Sequence, residues 1–462
     1  MFAAAMLAVQ IVLSPCTIEG VSGPTRCGTY RVWENRATKR GRQIDLSIII
    51  LEALSTPRKP EPLFLLAGGP GDAPSFNASF FSRVFASVRQ TRDLVLVDLR
   101  GTGKSNALLC RELGQPDSSG TLDADILSVP ALRACRTRLE KTADLRQYTT
   151  EIAIDDLDEV RQSLGYKQIN LYGTSYGSRA AQVYMRRHPL SLRAVALKGI
   201  VPPSLALPER HALASEEEWE RLLHRCETDK ECSSEFPTPD ADFRALLKRL
   251  EGSPVFSLSS PRNGATKVKI SPGLFAEAFR NFLYAPEAEI RGLRLVKDLV
   301  RTDKPGLVEN AWSARTFLGT ERLAAGFFLS VSCTEDLPYL PRNLEPLVQG
   351  TFLGDYRLRQ QINACAVWPH GKVSSQHRQP TKSDIPTLIM SGEFDPVTPP
   401  AGGDEVLRGL SRGRHIVIKN NGHPIGSAER CVGNMVGAFI DKGSVDGLDC
   451  SCASSIPAVP FQ

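Results

Sequence analysis

Several kinds of signal are missing from this chain, and each absence removes a class of function. No pair of Cys-x-x-Cys motifs appears, and Cys450-Ser451-Cys452 is too tight for zinc-ligand spacing. No metal is called for. The net charge is only +5 and is spread along 462 residues, while basic clusters such as Arg36 to Arg42 lack interleaved aromatics. Nucleic acid is therefore not implied as a partner. The apolar run Phe2 to Leu13 is too short to span a bilayer as a helix, so stable membrane insertion is not expected. Neither a G-x-G-x-x-G pattern nor a complete Walker motif is present, because Gly103-Lys104-Ser105 lacks the upstream glycine a phosphate loop requires. Internal repeats and long low-complexity stretches are also lacking.

What is present is a 42% hydrophobic chain able to bury a large core, of a length that suggests two or three domain-sized units or one large domain with an insertion. Eleven cysteines sit in loop-like contexts, which points to disulfides in an oxidising compartment with one thiol left over. The chargeless run Phe2 to Leu13 has the length of a signal-peptide core, so a periplasmic or secreted location is expected. No Lys or Arg precedes the run, and a buried strand or helix is the competing reading. Pro15 before Cys16 is a poor context for lipidation of that cysteine.

The chemistry is organised around Gly173-Thr174-Ser175-Tyr176-Gly177, where the apolar run Gln168 to Tyr172 meets the helix-compatible stretch Ser178 to Arg187. This is the pattern of a nucleophile elbow. A serine on a sharp strand-to-helix turn needs neighbours without side chains two residues before and after it, and Gly173 and Gly177 occupy those places. Ser175 is thus the candidate nucleophile. The Tyr176 backbone N–H, at a helix N-terminus, is a candidate oxyanion donor. A structural serine in a tight turn is the competing reading.

Along the chain, Tyr30 to Arg36 and Gln43 to Leu54 read as an edge hairpin, and Leu63 to Leu66 and Leu94 to Val97 as buried strands. The loop Ala67-Gly68-Gly69-Pro70-Gly71 suits the second half of an oxyanion hole, with Gly69 the expected donor and Gly68 its alternative. Asp98 and Arg100 are expected to be scaffold, with a mutual ion pair fixing their loop. Thr149 to Leu164 reads as an amphipathic helix, and Leu192 to Ile200 as the next strand, so strand and helix alternate as in a parallel sheet covered on both faces. Helical patterns then dominate: Glu216 to Cys226, Ala241 to Leu250, Leu274 to Leu283, Glu287 to Thr302 and Leu307 to Phe317. Strands resume at Thr387 to Met390 and Arg414 to Ile418, each followed by a loop with a polar candidate, Asp395 and His423. For each loop read alone a plain turn is the equal competing reading; the order Ser, Asp, His at successive strand ends is that of the α/β-hydrolase fold. His423 then takes the proton from Ser175 while Asp395 orients the ring, with Glu393 as the fallback acid. The expected organisation is a leader over 1–15, a core over 16–203 and 373–462, and a helical lid over 204–372.

These motifs, with Cys27-Gly28-Thr29, Asp98-x-Arg100-Gly101-x-Gly103-x-Ser105, Asp395-Pro396-Val397-Thr398-Pro399 and Gly422-His423, resemble the exported tripeptidyl aminopeptidase branch of the proline iminopeptidase-like serine hydrolases. The resemblance implies an α/β-hydrolase fold and an acyl-enzyme mechanism with no cofactor, acting on short peptides from the N-terminus or, alternatively, on small esters. It also implies an acid that holds the substrate ammonium, and places Glu335, then Asp336, in that role; capping of a lid helix is the competing reading. The disulfides it suggests are Cys16–Cys27, Cys110–Cys135, Cys226–Cys232, Cys333–Cys365, and Cys431 with Cys450 or Cys452. The chain departs from the pattern at Lys198, where relatives usually carry an acid, and at Ala67, where a histidine is frequent. Asp72 is expected to point away from the oxyanion site, since its charge would oppose one.

Overall fold

The short apolar runs become strands because side chains on both of their faces are buried. In the computed structural model, which describes residues 11–461 apart from 123, 261–263, 303–308, 310–312 and 314–315, the strands are β1 Leu13–Pro15, β2 Thr25–Trp33, β3 Gln43–Leu51, β4 Leu63–Leu66 and β5 Leu94–Val97. They continue with β6 Thr121–Leu122, β7 Ile169–Ser175, β8 Leu192–Ile200, β9 Val255–Ser260, β10 Gly264–Lys269, β11 Thr387–Gly392 and β12 Gly413–Ile418. Nine of them form one sheet in the order β1-β2-β3-β5-β4-β7-β8-β11-β12. From β5 to β12 the neighbours are parallel, while β1, β2 and β3 form an antiparallel edge.

Alternation along β4 and β5 feeds two cores. Phe64, Leu66, Val95 and Val97 join one apolar cluster and Leu63, Leu65, Leu94 and Leu96 the other. Each such buried side chain contributes about 1.5–3 kcal/mol, so Phe64→Ala would remove about 3–5 kcal/mol. The helix Thr150–Ser163 starts where the Thr149 hydroxyl accepts the Ile152 N–H, and it packs against Tyr176–Arg187. Parallel topology brings the loops after β4, β7, β11 and β12 to one edge of the sheet, the carboxyl ends where open α/β sheets place their ligands.

The edge hairpin departs from expectation. β2 begins at Thr25, ahead of the expected Tyr30, because β1 pairs with its first half and the disulfide from Cys16, the residue after β1, ties the chain to Cys27 of β2. Leu13–Pro15, read as the end of a leader, thus forms part of the sheet; positions 1–10 lie outside the described residues. Between β8 and β11 the chain is mainly helical, with His211–Thr228, Pro239–Arg249, Pro272–Arg280 and Pro286–Thr302 at the expected places. The expected helix over Leu307 to Phe317 lies largely outside the described residues. The hairpin β9–β10, extended by β6, has no counterpart in the helical pattern expected for this stretch. Five disulfides form, with Cys431 joined to Cys452 and Cys450 the free thiol.

Candidate active site

At the end of β7 the backbone turns back so sharply that Ser175 has φ 55° and ψ −125°. A side chain there at positive φ costs of order 1–3 kcal/mol, and the surroundings must hold it. They do so through glycine: a Cβ on Gly173 would run into the Gly177 carbonyl, and one on Gly177 would stand 2.5 Å from the Leu66 carbonyl oxygen. Ser178 fastens the turn from below, accepting the Val201 N–H at 2.9 Å with its hydroxyl 2.6 Å from the Ser175 carbonyl.

Three candidates from distant parts of the sequence meet here. His423 Nε2 lies 3.2 Å from Ser175 Oγ, and His423 Nδ1 lies 3.0 and 2.9 Å from the two Asp395 carboxylate oxygens. Asp395 also accepts the Val397 N–H at 2.9 Å and the Thr398 N–H and hydroxyl at 2.8 and 2.7 Å. Since Thr398 gives its hydroxyl proton to Asp395, the neighbouring Nδ1–H has the carboxylate as its acceptor, which leaves Nε2 to face Ser175. Burial alone would raise the Asp395 carboxyl; His423 and then Lys198 outweigh that and hold it well below the usual carboxylate range. Glu393, the fallback acid, instead accepts the Asn420 N–H at 2.8 Å.

Two contacts fix the histidine loop from opposite sides. On one, fully buried Lys198 donates to the Gly422 and His423 carbonyls, both at 2.8 Å. This cation sits behind the base, on β8, not among the cavity-lining residues; burial pushes it down to about 8, with Asp395 acting in the opposite direction. On the other, the His423 N–H donates to the Tyr284 carbonyl at 2.7 Å, and the two rings meet edge to face 5.6 Å apart. Neither Lys198 nor Tyr284 carries a sequence motif for such a role, and Thr398 is visible only as part of the Asp395 loop.

Ser175 and His423 open on a cavity of about 690 Å³, and Gly69 and Tyr176 lie on its wall beside them. Gly69 has φ 108°, a conformation that suits glycine, while a Cβ on Gly68 would stand 3.2 Å from Ser175 Cβ. Asp72 also lines the cavity, but both oxygens are engaged within its own loop, by the Ala73 N–H at 2.8 Å and the Asn77 amide at 2.9 Å. Its carboxyl is raised by burial. To the rest of the lining the helical segment contributes His211, Glu277, Arg280 and Arg357, none of which carries a motif in the sequence.

Two expectations are corrected. Glu335 and Asp336 are fully buried beneath the elbow and do not line the cavity. Glu335 accepts the Thr150 N–H and hydroxyl, each at 2.6 Å, so it caps a helix as the competing reading held, but that helix is Thr150–Ser163 of the core. Asp336 accepts Arg179 at 2.6 Å and the Leu207 N–H at 3.1 Å. Likewise Arg100 does not pair with Asp98. It forms a buried ion pair with Asp156 at 2.7 Å, while Asp98 accepts from Ser75 and the Lys104 N–H.

Comparison with known proteins divides along the same lines. Residues 61–235, which include Gly69, Ser175 and Tyr176, match the family model described as alpha/beta hydrolase fold. Residues 350–452, which include Asp395 and His423, match the one described as TAP-like protein. A protein named tripeptidyl aminopeptidase from Streptomyces coelicolor is 24% identical over 470 residues, covering 93% of this chain and 83% of the relative. The serine protease Hip1 of Mycobacterium tuberculosis is 23% identical over 478 residues, covering 94% of this chain and 88% of its own.

Proposed function

The chain is a serine hydrolase of the α/β-hydrolase fold, and from that premise we propose that it is a peptidase that releases short fragments from the N-terminus of small peptides. The observation that carries this reading is the Ser175–His423–Asp395 triad, whose serine and histidine line a cavity of about 690 Å³, roomy enough for a short peptide. The named activities of the relatives point the same way.

The proposed steps are those of acyl transfer by a serine nucleophile. His423 Nε2 takes the proton from Ser175 Oγ as the oxygen attacks the peptide carbonyl, and the Tyr176 and Gly69 N–H groups receive the developing oxyanion. Asp395 remains ionised and stabilises the imidazolium. The imidazolium then gives its proton to the departing amine, which leaves an acyl-enzyme, and water activated by the same nitrogen releases the acid and frees Ser175. Among the described residues the acids on the cavity wall are Asp72 and Glu277, and only Asp72 lacks a hydrogen bond to a guanidinium. We place the substrate ammonium on the Asp72 side. The five disulfides support an oxidising location outside the cytoplasm.

Matched fluorogenic substrates test the reading: a free tripeptide amide, its N-acetylated twin and a short-chain ester, each with the wild type and with Ser175→Ala. Cleavage of the free peptide in preference to its blocked twin, lost with Ser175→Ala, is the expected outcome. Turnover of the ester alone would assign the machinery to a carboxylesterase instead.

A further inference from the structure

The part of the cavity wall that the helical segment contributes holds, among the described residues, more positive charge than its own acids neutralise. Arg280 and Arg357 both donate to the same oxygen of Glu277, Oε1, each at 3.2 Å. Two guanidiniums thus share one carboxylate. The side chain of Arg280 is 4% exposed, yet its Nε and Nη1 donate to no acceptor among the described residues. A buried, unanswered N–H on a charged group is costly, and such groups in native proteins ordinarily have a partner. Arg291 and Arg322 also line the cavity, against Asp72 as the one further acid among the described lining residues. His211 adds no charge, because burial and the same guanidiniums push its imidazole well below the ordinary histidine value.

We propose that Arg280 and Arg357, set by Glu277, form a subsite for a substrate carboxylate, so that the enzyme prefers peptides carrying an acidic group beside the scissile bond. The position follows from a chain of contacts. The Arg280 guanidinium lies 5.1 Å from the centre of the Tyr284 ring, and Tyr284 in turn holds the His423 N–H and packs against its imidazole. The subsite is thus one side chain removed from the base. Glu277 Oε2 is also without a partner and would suit a cation taken alone; with two guanidiniums on its other oxygen the balance favours an anion. Charge-assisted bonds from arginine to a carboxylate are among the stronger polar contacts. The carboxylate comes either from an aspartyl or glutamyl side chain or from a free C-terminus.

The inference rests on Ser175 and its cavity being the substrate site, so its test includes a reading independent of turnover. Binding of short peptides to Ser175→Ala is measured by calorimetry in two arms: a glutamyl peptide against its glutaminyl twin, and a C-terminal acid against its amide. One arm is expected to show about tenfold tighter binding of the acid, and which arm does so identifies the source. The same ratio is then read from kcat/KM with Ser175 intact. Arg280→Gln is expected to bring the ratio close to one and Glu277→Gln to raise it; these opposite directions keep the test decisive if one variant folds poorly. A ratio of one in both arms, or tighter binding of a lysyl peptide, overturns the proposal. Acid preference in binding without hydrolysis upholds the subsite and removes the peptidase reading instead.

Discussion

The floor of the cavity, with the groups beneath it, and the wall that the helical segment contributes are built from the same kinds of polar side chain but differ in how many of their atoms are satisfied. Directly beneath the floor, Asp395 accepts three bonds besides the histidine, and Lys198 donates to two carbonyls. On the wall, Glu277 Oε2, Arg280 Nε and Nη1, and His211 Nδ1 have no hydrogen-bond partner among the described residues. The difference teaches where each region gets its order. The groups that set the nucleophile and base are held by their own bonds, as preorganised catalysis requires, whereas the wall leaves capacity for a ligand to complete.

Substitutions on the floor should therefore cost rate, and the largest loss should come from Ser175→Ala, by at least about 10⁴-fold in kcat. Steady-state turnover beside labelling by a fluorophosphonate checks this, and surviving label on the variant would show a nucleophile elsewhere. Asp395→Asn should approach the same loss, about 10⁴-fold, because an amide no longer fixes the Nδ1–H tautomer. If the fall were under tenfold, Thr398 would be sufficient to orient the ring.

Lys198→Met is a finer test, since it removes two bonds that touch no substrate. It should lower kcat by about tenfold with little change in KM, and should destabilise the fold by about 1–3 kcal/mol through two stranded carbonyls. Its pH dependence has a definite sign. Burial penalises the ammonium form, which the folded protein holds only below about pH 8, so the wild type should gain stability relative to the variant as pH rises from about 8 to about 10.4, the ordinary lysine value. Chemical denaturation of both proteins at about pH 7.5 and again at about pH 10 reads the difference.

The smallest effect concerns Glu335, buried under the floor and pushed up to about 7 by burial. The folded state holds its proton where the unfolded chain releases it, so the wild type loses stability as pH rises from about 4.3 to 7. Glu335→Gln should gain on it over that window by about 1–3 kcal/mol and leave substrate selectivity unchanged. A changed selectivity would return Glu335 to the substrate site.

The contrast between the regions also governs what could be read in advance. Gly173, Ser175 and Gly177 were legible because one backbone turn dictates residue types at fixed spacing. Asp395 and His423 were legible because each follows a strand of recognisable apolar run, in a fixed order. Glu335 was misplaced because an acid that caps a core helix across 185 positions of sequence has the same local signature as one that meets a substrate. Arg100 and Asp156 are similar, a buried pair whose partners lie 56 positions apart. The wall was invisible for a related reason: Glu277 and Arg280 are successive-turn neighbours on one helix, while Arg357 and His211 arrive from two others, so only packing makes them a group.

The histidine loop has two moorings of different origin, the Lys198 ammonium on a core strand and the Tyr284 carbonyl on the inserted segment. This makes the base an interlock. The aim of the base thus depends on both parts of the chain at once, and a substitution that shifted Tyr284 would take the acceptor from the His423 N–H without touching Ser175, Asp395 or Lys198.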